Sequence, residues 1–306
     1  MKRQFFWAIA MAVVISSGLG CTSDGARAIQ DRFDSGTLYI SCDESFKPVL
    51  DAQIQVYNND YPKTNIVVNY KPEADCLRDM LVDSIKLIIA TRGFNSKEEE
   101  AIQDSLKLGP EKFTVAYDAV AIVVNNNATD SFFTKEDIIQ IIKGHSLKNY
   151  IPVFDGLKAT STVRFMLDSV LVDSSLGKNA LAANTSLGVL EYVAKTKNAI
   201  GFLGSSWTGN VDDTLQMSYR KKVRLAHLES TDSVGGFVLP VQYLIYTKTY
   251  PFVRSLVYVL KEKHLGLGHS FADFLKSDRG QLIFRRSYLF PAIRPFYSRY
   301  TEVDKN

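Results

Sequence analysis

Cysteine is scarce in this 306-residue chain, with only Cys21, Cys42 and Cys76. That number excludes a multi-bridge disulfide scaffold and a four-cysteine zinc site within one chain. Charge of one sign is lacking too. Lys plus Arg is 36 against 33 for Asp plus Glu, a formal charge of +3. Nucleic-acid binding needs clustered basic charge, so no nucleic-acid partner is expected. No apolar run approaches the ~18 residues of a membrane-spanning helix. Signatures of catalysis are missing as well: there is no HExxH, no P-loop, no GxSxG and no GxGxxG after a strand. His145, His227, His264 and His269 are scattered, and the last two are spaced wrongly to share a helix face for a metal. Ser205-Ser206 follow a strand and a glycine without a supporting histidine motif. Tyr243, Tyr246, Tyr250 and Tyr258 recur at spacings that suit core packing. Neither enzymatic activity nor a cofactor is expected.

What is present begins with an address. Lys2 and Arg3 precede the apolar run from Phe5 to Ile15. Those residues, at 1.5 Å rise each, would cover roughly half of a ~30 Å bilayer core, which suits a secretory signal better than a membrane helix. Ser17-Gly18-Leu19-Gly20-Cys21 resembles the lipobox of bacterial lipoproteins, in which the cysteine is lipidated and becomes the new N-terminus. On that reading residues 1–20 are a signal peptide and residues 21–36 a polar tether. Loss of Lys2 and Arg3 leaves the mature chain at +1. It would be lipid-anchored in a bacterial cell envelope, outside the cytoplasm and facing the periplasm.

Beyond the tether, strand and helix patterns alternate. Thr37–Ser41 is a short strand, followed by a helical face of Phe46, Val49, Leu50, Ile54 and Tyr57. Ile66–Tyr70 is the next strand, and Cys76, Leu77, Met80, Leu81 and Ile85 mark the next helix. Leu87-Ile88-Ile89-Ala90 is a continuous apolar strand of the kind buried on both faces. Ser96 is expected to cap an acidic helix. Two strand-like runs, Phe113–Ala116 and Val120–Val124, then interrupt the alternation. A second set follows: a capping box of Thr134 and Asp137 on a helix ending near Gly144, a strand Ile151–Phe154, and a helix opened by Thr160-Ser161-Thr162. Ser186 is expected to cap a further helix before the strand Ala199–Leu203. Phe237–Tyr246 reads as a long strand, and Pro251 as the start of an amphipathic helix. Such alternation predicts an α/β fold with a mostly parallel sheet flanked by helices.

Three loops at the C-terminal ends of strands carry hydroxyls or charge: Ser41–Phe46, Thr91-Arg92-Gly93 and Thr160–Arg164. Ligands of open α/β sheets bind outside the carboxyl ends of strands. Helix N-termini offer unpaired N–H donors, and an arginine fork matches a tetrahedral oxyanion. The three loops together therefore point to a small anion.

The order of these segments resembles the phosphate-binding periplasmic proteins, the capture subunits of phosphate ABC importers. Ser45-Phe46 stands at the family's first ligand loop, and Ala90-Thr91-Arg92-Gly93-Phe94 resembles its A-S-R-P-L. Val115–Asn125 is close to its V-A-Y-D-G-I-A-V-I-V-N. Thr134–Gly144, Ala199–Gly204 and Ser277–Gln281 match further segments, so that the likeness covers about residues 37–295. The resemblance implies a two-lobed type II periplasmic binding protein with a two-strand hinge. One lobe would comprise residues 37–121 and 237–300, and the other residues 122–236. Hinges are expected near Ala119–Ala121 and Gly235–Gly236. A phosphate or similar oxyanion would be held by Ser45, Phe46, Thr91 and Arg92 from one lobe and by Ser161, Thr162 and Arg164 from the other, without covalent chemistry. The implied partners are an ABC permease and its ATPase. The helix start lacks the family's two glycines, and Pro72–Cys76 replaces its glycine- and serine-rich second loop. Leu157-Lys158 stands where a basic or amide residue is common, and Asp43, Glu44, Glu73 and Asp75 surround the expected site. An envelope lipoprotein with a degenerate pocket, serving in sensing or protein interaction, is the competing expectation. Cys42 and Cys76 each follow a strand of the same lobe, which leaves a disulfide and two buried thiols equally open.

Overall fold

A computed structural model describes residues 32–293 apart from 108, 173–174 and 211–212. The signal segment and Cys21 lie outside the described residues. The strands are β1 (Gly36–Asp43), β2 (Thr64–Lys71), β3 (Ile85–Ala90), β4 (Glu111–Asn125), β5 (Phe132–Phe133), β6 (Ile151–Phe154) and β7 (Leu181–Ala182). They continue with β8 (Ala199–Gly204), β9 (Val223–Leu225), β10 (His227–Glu229), β11 (Phe237–Val238), β12 (Val253–Leu260) and β13 (Phe290–Pro291). A ten-stranded sheet runs β2-β1-β3-β12-β4-β8-β6-β7, with β13 and β9 also on β4. β1 pairs in parallel with β2 and β3, and β6 in parallel with β7 and β8. The middle is antiparallel, because β12 runs against both β3 and β4, and β4 against β8. The fold is the mixed α/β arrangement of type II periplasmic binding proteins.

One strand joins two cores. The first half of β4 pairs with β12 as far as Ala119↔Val253, and its second half pairs with β8 from Val120↔Gly204 onward. On one side Leu38, Ile40, Phe46, Leu50 and Tyr57 pack with Tyr258, Phe271 and Phe284. On the other, Ile122, Val124, Ile142, Phe154 and Phe202 pack with Val163, Ile245, Tyr250 and Phe252.

Local signals explain several elements. The helix Lys47–Asp60 buries Val49, Leu50 and Tyr57, and Ile54 packs at the edge of the same core. Thr134 and Asp137 form the expected capping box, and Gly144 ends that helix with φ 77°, where a side chain would be strained. Two caps fall one residue earlier than expected. Asn95, not Ser96, accepts from Glu98 N, and Thr185, not Ser186, accepts from Gly188 N. In both cases the residue with extended backbone takes the cap, as the geometry of that position requires.

Three expectations are corrected. Phe113–Ala116 and Val120–Val124 are parts of one 15-residue strand, β4. The run Phe237–Tyr246 is a two-residue strand and a short helix, Gln242–Tyr246. Pro240 has no N–H for a ladder, which stops the strand there. The helix expected after Pro251 is β12, a central strand buried on both faces. Burial on both faces erases the period-2 signal and leaves an apolar run that reads either way. The chain accordingly crosses back at Phe252–Val253. Gly235–Gly236 instead sit in the turn between β10 and β11, and Ile245, Tyr250 and Phe252 belong to the second core.

Candidate oxyanion site

The ends of β1, β6 and β8, the middle of β4 and the start of β12 converge on one buried polar cluster. After β1, Asp43 Oδ1 accepts from Ser45 N at 3.1 Å and fixes a tight turn, Glu44–Phe46. After β6, Thr160 caps the helix Ser161–Phe165 by accepting from Val163 N. Ser161 and Thr162 thereby face Ser45, and all three are fully buried. Ser45 Oγ lies 3.3 Å from Ser161 Oγ and donates to Asp155 Oδ2 at 3.3 Å. Thr162 Oγ1 donates to the same oxygen at 3.4 Å.

The cationic member is Arg254. Nη1 donates to Ser161 Oγ at 3.0 Å and to Thr162 Oγ1 at 3.3 Å, while Nε donates to Asp118 Oδ2 at 2.9 Å. Arg254 and Asp118 are register partners on β12 and β4, with side chains 2% and 0% exposed. The guanidinium lies 5.1 Å from the Phe46 ring centroid, a cation–π contact. Asp118 Oδ1 accepts from Ser205 N and Oγ at 3.1 and 2.6 Å, and Trp207 Nε1 donates to Ser45 O at 2.9 Å. A Cβ at position 204 would lie 3.0 to 3.3 Å from Arg254 Nη2, Asp118 Oδ2 and Ser45 O, so Gly204 permits this close approach.

Two buried carboxyl oxygens are left without hydrogen-bond partners here, Asp43 Oδ2 and Asp155 Oδ1, while Arg254 Nη2 lies 2.9 Å from Asp118 Oδ2. Burial pushes the Asp43 carboxyl up to about 7, against the pull of Arg254, and the Asp155 carboxyl up to about 6. The cluster thus presents hydroxyls, one guanidinium and two carboxyls that hold protons readily.

Of the residues expected at the site, Ser45, Phe46, Ser161 and Thr162 are brought together. Thr91 and Arg164 form a neighbouring cluster around Glu73. Arg92 turns away and makes two bonds to Glu98, at 2.6 and 3.0 Å. The acidic loop residues divide. Glu44 accepts from Ser186 N and Oγ at a helix start, Asp75 pairs with Arg78, and Asp43 enters the cluster. Asp118, Asp155 and Arg254 were not among the expected site residues. Charges within the apolar strand runs around Asp118 and Arg254 were the available signal, since such charges require partners. Cys42 and Cys76 are both buried free thiols, with burial raising each pKa, so the disulfide left open by the sequence is not formed.

A model of the PBP superfamily domain matches residues 29–279. The chain belongs to that superfamily. Its fold resembles a protein assigned as a phosphate ABC transporter substrate-binding protein of Clostridium perfringens, solved with bound phosphate. That match has 20% identity, 84% coverage of this chain, 100% of the other and a TM-score of 0.70. An ABC-type phosphate transport receptor of Vibrio cholerae matches at 18% identity, 83% and 99% coverage and TM-score 0.62. PstS of Borrelia burgdorferi matches at 16% identity, 84% and 99% coverage and TM-score 0.53. No curated protein matches the sequence. Among the described residues, no helix is long and apolar enough to cross a membrane.

Proposed function

We propose that this PBP superfamily protein captures phosphate between its two cores, without catalysing a reaction, and delivers it to an ABC permease and ATPase. The observation that carries this reading is the convergence of Ser45, Ser161, Thr162 and Arg254 beside two carboxyls that each hold an unbonded oxygen. Arg254 and the hydroxyls donate to an oxyanion. Asp43 and Asp155 accept the protons that phosphate, unlike sulfate, still carries near neutral pH. The phosphate-binding proteins among the structural neighbours support the same solute. Ser45 and Ser161 come from opposite cores and touch directly, so the anion enters when the cores part. The hinge for that motion is the pair of crossings at Ala119–Val120 and Phe252–Val253.

Titration calorimetry with phosphate, arsenate and sulfate tests the reading. Phosphate and arsenate bind, sulfate binds on the order of 100-fold more weakly, and Arg254→Ala binds none. A wild-type protein that takes up none of the three at millimolar concentration would sink the proposal. It would favour the second reading, an envelope lipoprotein whose pocket has decayed and whose partner is a protein. The existing Asp118–Arg254 pairing and the direct Ser45–Ser161 contact favour that alternative.

Anchoring belongs to the same proposal. Lipidation of Cys21 after removal of residues 1–20 would hold the body outside the cytoplasm at the end of a short polar tether. Cys21→Ser should move the protein from the membrane fraction to the soluble one; retention as firm as in wild type speaks against the anchor.

A further inference from the structure

The oxyanion reading leaves one cluster at the seam without a task. Glu73 opens the helix after β2, and its side chain is 2% exposed. Its Oε1 accepts from Thr91 N at 2.9 Å and from the Thr91 hydroxyl, while Oε2 accepts from Arg164 Nε at 2.6 Å. Arg164 Nη2 also donates to Thr91 Oγ1 at 2.6 Å, and Ala74 N donates to Ala159 O at 3.0 Å. Glu73, Ala74 and Thr91 flank the first core, whereas Ala159 and Arg164 belong to the loop and helix that carry Ser161 and Thr162. The two stretches that depart from the phosphate-binding pattern, Pro72–Cys76 and Leu157-Lys158, therefore face each other across one cavity of about 330 Å³. A second cavity of about 340 Å³, lined by Lys47, Leu187 and Trp207 among others, borders the seam elsewhere. A seam flanked by cavities relies on its few polar crossings.

We propose that Glu73 is a positioning residue for closure, whose ion pair with Arg164 latches the two cores. The inference rests on the two-core closure described above but not on the identity of the anion. Parting the cores leaves Glu73 its two Thr91 donors and leaves Arg164 only Asp168, at 3.3 Å on the exposed side. The crossing pair is the part lost. A buried carboxylate opposite a guanidinium makes a stronger tie than two exposed side chains, so the latch biases the equilibrium between open and closed forms toward closed. Ser161 and Thr162 are then held against Ser45 and Arg254 before any anion arrives.

Trp207 reports the motion. It donates to Ser45 O across the same seam, and the chain has one other tryptophan, Trp7. In the full chain carrying Trp7→Phe, acrylamide quenching of Trp207 is measured without and with inorganic phosphate. Glu73→Gln, which retains an acceptor for Thr91, should raise the quenching constant about twofold or more without phosphate. Arg164→Gln, on the partly exposed side of the pair, should do the same and tests the idea if Glu73→Gln folds poorly. Glu98→Gln breaks the Arg92 pair within one core and should leave quenching at the wild-type level. Unchanged quenching in both seam variants, whatever their melting temperatures, overturns the latch, as does equal opening in Glu98→Gln. Opening in the seam variants that phosphate fails to reverse leaves the latch standing and counts against phosphate as the ligand.

Discussion

At the scale of single residues, the buried charges matter most. Asp118 and Arg254 are both almost fully enclosed, so each depends on the other. Removing one partner of such a pair leaves an uncompensated buried charge, at a cost of about 3–5 kcal/mol. The pair thus has a structural role at the junction of β4 and β12, and in the proposed function Nη1 would also bind the anion. Asp43 and Asp155 behave differently, because burial raises their carboxyls to about 7 and about 6. An unfolded aspartate sits near ~3.9, so between about pH 4 and pH 7 the native state holds more protons than the unfolded one. Their contribution to stability is complete below about pH 4 and is lost as the pH rises through about 6 to 7. Asp43→Asn removes one titration while keeping the oxygen that accepts from Ser45 N. Its urea midpoint should fall less than that of wild type between about pH 4.5 and about pH 7.5. Equal falls in the two proteins would refute the assignment. The hydroxyl loops were legible in the sequence because helix caps and strand ends have short-range signatures. Arg254 was not, because its role depends on Asp118, distant in sequence and adjacent only through the β4–β12 register.

At the scale of elements, legibility follows burial. Helices with one wet face and capped ends could be read, with caps misplaced by a single residue. β3 was also readable, because its short apolar run is bounded by turn residues. β12 was not, since it is buried on both faces and reads as a helix as easily as a strand. Gly201 illustrates a constraint visible only in the fold. A Cβ there would lie 2.6 to 2.9 Å from Val189, Val123 and Val193 side chains, so the helix Ser186–Lys195 packs directly on β8. Gly201→Val should cost about 1–3 kcal/mol or more by overpacking, read as a lower denaturant midpoint. A midpoint equal to wild type would mean that the helix can move away freely. That same helix receives Glu44 from the other core at Ser186, so its displacement should also loosen the seam.

At the scale of the whole molecule, the α/β class could be read from the alternation of elements and from the family resemblance. The second crossing could not, because residues 237–252 were expected to have returned already and instead complete the second core. Their aromatic residues Tyr250 and Phe252 fit either core by composition, and only the sheet register decides. This chain path also dictates an order of assembly. The second core is built from one stretch, roughly residues 120–252, whereas the first is interrupted. β3 and β4 do not pair with each other; β12 lies between them and bonds to both. A chain that emerges from its N-terminus therefore carries β1, β2 and β3 for some 160 residues before the strand that joins them to β4 exists, an interval in which β3 presents an unpaired apolar edge. Nascent β3 is the segment most in need of a chaperone, and the strand that closes the gap is the one that carries Arg254.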